Sequence, residues 1–370
     1  MRIVIFGLAV SSSWGNGHAT LWRGLCRALG ERGHHVSFYE RDVPYYAAHR
    51  DLHELPHGRL VLYSDWQTVL PDARRELAQA DVGIVTSYCF DAIEAGNLVR
   101  ESKALRVFYD LDTPVTLANL SREEEVAYIG PDGLRDYDIV LSYTGGRALE
   151  QLVTRLGARR AVALYGCVDP QVHHPVPPVD GYRCTLSYLG TYAEDRQAAL
   201  EQLFIEPARR SPDTRFLIGG SQYPAEFPWT SNIHFAWHVP PPSHAAFFCS
   251  SRFTLNVTRG AMAEMGYCPS GRLFEAAACG VPVISDTWEG VEHFFAPGSE
   301  ILAVNNTEGV LHALQLGDAE ISRLAQRARE RVLDEHTAAH RARELEHIFE
   351  RAGHLPRHDS PAATLAPMEA

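Results

Sequence analysis

Short apolar runs rich in β-branched residues recur through the first half of the chain, at Ile3–Phe6, Val36–Tyr39, Val82–Thr86, Leu105–Tyr109, Ile139–Ser142 and Ala161–Leu164. Helical stretches separate them. That alternation predicts a parallel sheet with crossover helices, because neighbouring parallel strands need a long connection and are buried on both faces. The first such helix, Thr20–Leu29, carries apolar residues at helical spacing, stops near Gly33 and joins the first two strands as a βαβ unit. The stretch from Asp169 to Pro178 holds four prolines and reads as a linker, since proline cannot continue a helix. A second series of strands follows at Cys184–Leu189, Arg215–Ile218, Ile233–Phe235, Phe253–Val257, Val281–Ile284 and Ile301–Val304, with helical patterns such as Gln197–Phe204 and Arg272–Cys279 between them.

The predicted class is therefore α/β: two tandem Rossmann-like, doubly wound domains, residues 1–168 and 169–335, with a ligand in the cleft outside the strand C-termini. From Asp318 to Ala352 the period is helical, with a break near Glu335-His336-Thr337 where Thr337 can cap a last helix over residues 336–352. Ala339, Ala342, Leu345, Ile348 and Phe349 form one apolar stripe on it, which must be buried somewhere. Residues 353–370, with three prolines and small side chains, read as a disordered tail.

Composition adds exclusions. The 370 residues exceed what one core usually supports, and 45% apolar with 22% charged residues is ordinary globular usage. Lys and Arg number 34 against 46 Asp and Glu, a net charge of −12 with no basic stripe, which argues against a nucleic-acid partner but leaves room for a small anion held locally. The seven cysteines show neither close pairing nor metal-ligand spacing, as expected of reduced thiols in a cytoplasmic protein. The N-terminal apolar run lacks a cleavage site and reads as a buried strand, and no run reaches the ~18 residues of a transmembrane helix.

The most informative stretch is Tyr267-Cys268-Pro269-Ser270-Gly271-Arg272-Leu273-Phe274-Glu275-Ala276-Ala277-Ala278-Cys279-Gly280, followed by the strand Val281–Ile284. A loop at Pro269-Ser270-Gly271 opens a short helix whose first N–H groups are unsatisfied and lie at the positive end of its dipole, a setting for phosphate. Arg272 adds a forked donor, and Glu275, placed on the first turn, can accept both hydroxyls of a ribose. A plain N-cap role for Ser270 and a dipole-favoured surface role for Glu275 fit the local pattern as well.

This stretch resembles the donor-binding segment of GT-B glycosyltransferases of the group 1 type, in the bacterial spore-maturation branch with its Pro-Ser-x-Arg-Leu-Phe-Glu-Ala-x-Ala-Cys-Gly pattern. The resemblance extends from Ser12-Ser13-Trp14-Gly15-Asn16-Gly17-His18 through Phe108–Pro114 to Trp288–Glu292. It implies a nucleoside-diphosphate-sugar donor, UDP-, GDP- or dTDP-linked, on the second domain. It further implies a small-molecule, glycan or protein acceptor on the first domain, no other cofactor and no metal. A last helix crossing back onto the first domain belongs to the same expectation. The wider superfamily carries an acidic pair eight residues apart; counting back from Glu275 reaches Tyr267, so only the ribose-holding acid carries over.

Gly15, Asn16 and Gly17 sit where backbone approaches the donor diphosphate, and His18 is a candidate general base; a solvent-facing structural histidine is the bland alternative. Asp110 and Asp112 follow a strand and point at the crevice as candidate catalytic carboxylates, while Thr113-Pro114 turns the chain away; a turn cap or metal chelation are the other readings. Arg196, from the first strand-to-helix loop of the second domain, is placed on the diphosphate by the resemblance. Arg259 and His238, which follow two further strands, are weaker donor contacts. A nucleotide-sugar epimerase of the same shape and a catalytically silent binding protein are the alternative functions.

Overall fold

The computed structural model describes residues 1–353; the expectation of a disordered tail falls outside them. Two parallel sheets organise the chain. The first holds seven strands, β1 (Arg2–Gly7), β2 (His35–Arg41), β3 (Gly58–Tyr63), β4 (Val82–Thr86), β5 (Leu105–Asp110), β6 (Ile139–Ser142) and β7 (Ala161–Ala163), in the order β3-β2-β1-β4-β5-β6-β7. The second holds β8 (Cys184–Leu189), β9 (Phe216–Gly220), β10 (Ile233–Trp237), β11 (Ser251–Asn256), β12 (Val283–Ser285) and β13 (Leu302–Ala303), in the order β10-β9-β8-β11-β12-β13. Both are doubly wound α/β sheets, the GT-B arrangement. The order reverses beside β1 and beside β8, and such switch points open a crevice at the strand C-termini.

Each sheet is covered on both faces. Along β1, Ile3 and Ile5 join one core and Val4 and Phe6 the other, as the two-residue period of a strand requires. In the second domain Leu186 and Tyr188 face one core and Leu189 the other. The strand β3 was not legible in the sequence pattern. It is an edge strand with most of its residues only half-buried, so its apolar contrast is weak.

The chain crosses between the domains twice, side by side. Val168 N donates to His336 O at 3.0 Å and Ala338 N to Val168 O at 2.8 Å. Arg341 secures this hinge by donating to the carbonyls of Tyr165 (3.1 Å) and Gly166 (3.2 Å) and to His336 Nδ1 (3.0 Å). After the crossing, the helix Ala338–Gly353 lies on the first domain. Its Ala338, Ala342, Leu345, Ile348, Phe349 and Ala352 are part of the same core as Ile3, Trp22 and Phe38. Among the described residues no helix is long and apolar enough to cross a membrane.

His336 makes the hinge acid-sensitive. Its ring is packed against Phe274, Phe294 and Phe295. Burial, reinforced by Arg341 and Arg331, pulls its pKa down to about 3. The folded protein thus holds this imidazole neutral, whereas the unfolded chain protonates it near pH 6.5. Below pH 6.5 the unfolded state binds the extra proton, so stability falls as pH drops towards 3, by an amount of the order of a few kcal/mol. The melting temperature of the wild type should accordingly fall more steeply between pH 6.5 and 4 than that of His336→Asn; parallel curves would contradict this.

Candidate active site

A cavity of about 530 Å³ lies between the domains, at the C-terminal ends of β1, β4, β5 and β6 on one side and of β8 and β11 on the other. The two switch points face each other across it. Of the residues singled out from the sequence, Gly15, Asn16, Gly17, His18, Asp112, Arg196, Arg259, Ser270, Gly271, Arg272 and Glu275 all line this space.

On the first domain, the loop after β1 is tied down from beneath. Glu40, fully buried, accepts from Val10 N (2.8 Å), Ser11 N (2.9 Å) and Ser11 Oγ (2.5 Å). Asn16 turns its side chain inward, donating to Ala9 O (2.8 Å) and accepting from His18 N (3.1 Å), so it shapes the loop with groups that are no longer available to a ligand. Gly15 takes φ +60°, and a Cβ there would come within 2.8 Å of Tyr45 Oη. The loop delivers His18 at the start of the helix His18–Glu31, with Nε2 3.7 Å from Asp112 Oδ2. Burial would raise the Asp112 pKa, but His18, Arg259 and Tyr88 outweigh it and hold the carboxyl below its usual range. Asp112 is thus a fixed negative charge beside an imidazole.

Asp110 departs from expectation. It is fully buried under the turn, accepts from Asp112 N and Thr116 Oγ1 (both 3.1 Å), and does not line the cavity. Its burial pushes the pKa up to about 6. Asp110 supports the loop that presents Asp112 and has no access to a substrate. Nor does Thr113-Pro114 turn the chain away. It opens the helix Thr113–Ser121, where proline is tolerated because first-turn N–H groups have no helical partner.

On the second domain, Ser270 precedes the helix Gly271–Ala278 with extended backbone and no side-chain cap; its Oγ lies 3.5 Å from Arg272 Nη1 instead. The helix N-terminus therefore keeps free N–H groups beside the cavity. Arg272 stacks over the Tyr188 ring at 5.4 Å and donates to Asn256 Oδ1 at 3.3 Å. Among the described residues no carboxylate pairs with it, and burial together with Arg196 lowers its pKa. Arg196 donates to Thr191 O at 3.3 Å and leaves Nε buried without a partner. Two guanidiniums with spare donors and, among the described residues, no carboxylate in direct contact stand beside one helix N-terminus, which is chemistry suited to a diphosphate. Arg259 is partly neutralised by Asp195 at 3.1 Å.

Glu275 is 9% exposed and lies in the second turn of its helix, which corrects the first-turn, surface reading. Burial raises its pKa, but His173, His244 and Arg272 outweigh that and lower it, so it is a buried carboxylate kept charged. His238 is not brought into the cavity. At φ +41° after β10, its ring packs 4.6 Å from Trp14, where the two domains touch. Tyr267, where an acid was absent, has φ +46° and packs against Gly146 and Gly290, each with no room for a Cβ beside the ring.

Several lining residues were missed. Tyr88, Tyr143 and Thr258 all follow a strand C-terminus, the signal that found Asp112. His173, from the interdomain linker, and His244, from the helix Pro241–Cys249, carry no local signal. Only folding sets them beside Glu275.

Residues 196–347 match the family model described as glycosyl transferase-like. No curated protein sequence matched the chain. Among solved structures, sucrose-phosphate synthase from Thermosynechococcus elongatus is similar over 95% of this chain and 98% of its own, at 15% identity and TM-score 0.69. The Anabaena protein HepE in complex with UDP and glucose matches over 95% and 100%, at 12% identity and TM-score 0.65. An alpha-glucosyltransferase in complex with UDP-glucose and DNA containing an abasic site matches over 95% and 99%, at 13% identity and TM-score 0.71. The chain thus has the two-domain GT-B architecture of these glycosyltransferases, and its second domain matches a glycosyl transferase-like family.

Proposed function

We propose that the protein moves a sugar from a nucleoside-diphosphate sugar to an acceptor hydroxyl in the cleft between its domains. The observation that carries this reading is the pair Arg196 and Arg272, with no carboxylate in direct contact among the described residues, at the free N-terminus of Gly271–Ala278 and one helical turn from Glu275. In this reading the diphosphate rests on those donors and Glu275 accepts the ribose hydroxyls. The base lies beyond Glu275, towards a second interdomain cavity of about 630 Å³ lined by Pro241, Pro242 and Ala245. UDP is the favoured nucleotide, because UDP or UDP-glucose is what the structurally similar proteins hold. The Pro269–Gly280 segment favours the spore-maturation branch.

His18 takes the proton of the attacking hydroxyl, and Asp112 stabilises the imidazolium that forms. Negative charge developing on the leaving diphosphate is met by Arg272, Arg196 and the helix dipole, which supply the electrostatic stabilisation a bound metal would otherwise give. The net charge of −12 favours a small-molecule, glycan or protein acceptor over a nucleic acid. Intact Glu275, Arg272 and His18–Asp112 favour turnover over silent binding.

Two measurements test this. Glu275→Ala should weaken UDP binding by about 1–3 kcal/mol, the range for a lost hydrogen-bond partner that is charged. Unchanged affinity by calorimetry in a folded variant would remove Glu275 from the site. Turnover should also survive EDTA, and activity abolished by chelator and restored by magnesium or manganese would overturn the metal-free mechanism.

A further inference from the structure

The side chains behind Glu275 have a geometry that donor binding alone does not use. His173 Nε2 lies 4.0 Å from Glu275 Oε1, His244 Nδ1 lies 3.9 Å from Glu275 Oε2, and the two ring nitrogens are 3.4 Å apart. One ligand atom from each of the three residues lies within 4.8 Å of the other two. His244 pairs its Nε2 with Val239 O at 3.1 Å, where a carbonyl can only accept. The neutral ring therefore carries its proton on Nε2 and turns the Nδ1 lone pair to the cluster. Such a backbone anchor on the remote nitrogen is how ligating histidines are usually oriented. His173 is 3% exposed, and its Nδ1 is buried without a partner. Facing the His244 Nδ1 lone pair at 3.4 Å, His173 Nε2–H is the donor, and an ion bound between the two rings would replace that proton.

We propose that His173, His244 and Glu275 form a binding site for one divalent transition-metal ion of the zinc class, and that this ion competes with the nucleotide for Glu275. The competition rests on the donor reading above; the site itself does not. Ligands at about 2.0–2.1 Å around a tetrahedral centre stand roughly 3.4 Å apart. The histidine pair has that spacing already, and the Glu275 carboxylate, whose two oxygens stand 4.0 and 3.9 Å from the two nitrogens, has to move closer to bring one oxygen to that distance from both. Two imidazoles and one carboxylate suit Zn²⁺, Co²⁺ or Ni²⁺, whereas Mg²⁺ and Ca²⁺ demand more oxygen ligands. Three protein ligands leave a fourth position open. Glu275, Thr20 and Cys167 line both interdomain cavities, so an ion can enter from either and water can complete its shell. With the ion in place, one Glu275 oxygen is committed to it and the ribose loses that acceptor.

The test uses the full-length protein after chelator treatment and removal of the chelator. Titration with Zn²⁺ should show one equivalent bound, and Co²⁺ should give visible d–d bands of a four- or five-coordinate site. His173→Gln and His244→Asn should each weaken Zn²⁺ binding at least tenfold, and saturating UDP should weaken it in the wild type. X-ray absorption of the zinc-loaded wild type, which needs no variant to fold, should show two imidazole shells. No stoichiometric binding, or a spectrum without two imidazoles, overturns the site. Zinc binding indifferent to UDP overturns the competition. UDP binding to a protein that takes no zinc sinks the site and leaves the donor reading standing, and zinc binding with no UDP affinity does the reverse.

Discussion

His18→Asn should keep UDP affinity within about threefold and lose about 10²–10⁴ in kcat, the usual share of a general base. Asparagine preserves a polar group at the start of the helix His18–Glu31 but cannot take a proton. The ring sits on the first-domain side of the cavity, opposite Arg272 and Glu275, so its loss leaves the nucleotide contacts intact. Asp112→Asn should cost less, since it removes only the charge 3.7 Å away that stabilises the protonated ring. The rate is measurable as donor hydrolysis before an acceptor is identified. A His18→Asn enzyme with undiminished kcat would take His18 out of the chemistry.

Truncation after Glu335 should unfold the first domain rather than merely loosen the cleft. The helix it removes contributes Leu345, Ile348 and Phe349, with three alanines, to the core that also holds β1 and the helix His18–Glu31. Each of the three large side chains is worth about 1.5–3 kcal/mol of burial. Together they rival the 5–15 kcal/mol of net stability of a typical domain, roughly speaking. The cut also removes the pairing of Arg32 and His34 with Glu346, at 2.7 and 2.6 Å. The apolar stripe on this helix, which crosses back onto the first domain, is part of that domain's core. A truncated protein with an unchanged first-domain melting transition and unchanged small-angle scattering would refute this.

Alternating strands and helices, and prolines from Pro170 to Pro178, made the two α/β domains legible, because each strand buried on both faces must be apolar throughout. Arg272 and Glu275 were legible for a similar reason. They belong to one short helix whose start, phosphate-suited N-terminus and end at Gly280 are all local features. Asp112 was found because residues just past a strand C-terminus point into the crevice, and His18 because the loop between the first strand and its helix opens onto the cleft.

What only the tertiary structure decided is whatever depends on contacts between segments distant along the chain. Asp110 and Asp112 are two residues apart and look equivalent in sequence, yet the packing of Thr116 and the following turn buries one and leaves the other facing His18. His238 looked like its neighbours among the strand-end residues until Trp14, from the other domain, covered it. His173 and His244 reach Glu275 from a linker and a separate helix. Sequence periodicity reports which face of an element is buried, because burial is a property of that element's own pattern. It carries no information about which distant side chain will share that space, and in this protein the fold made that choice.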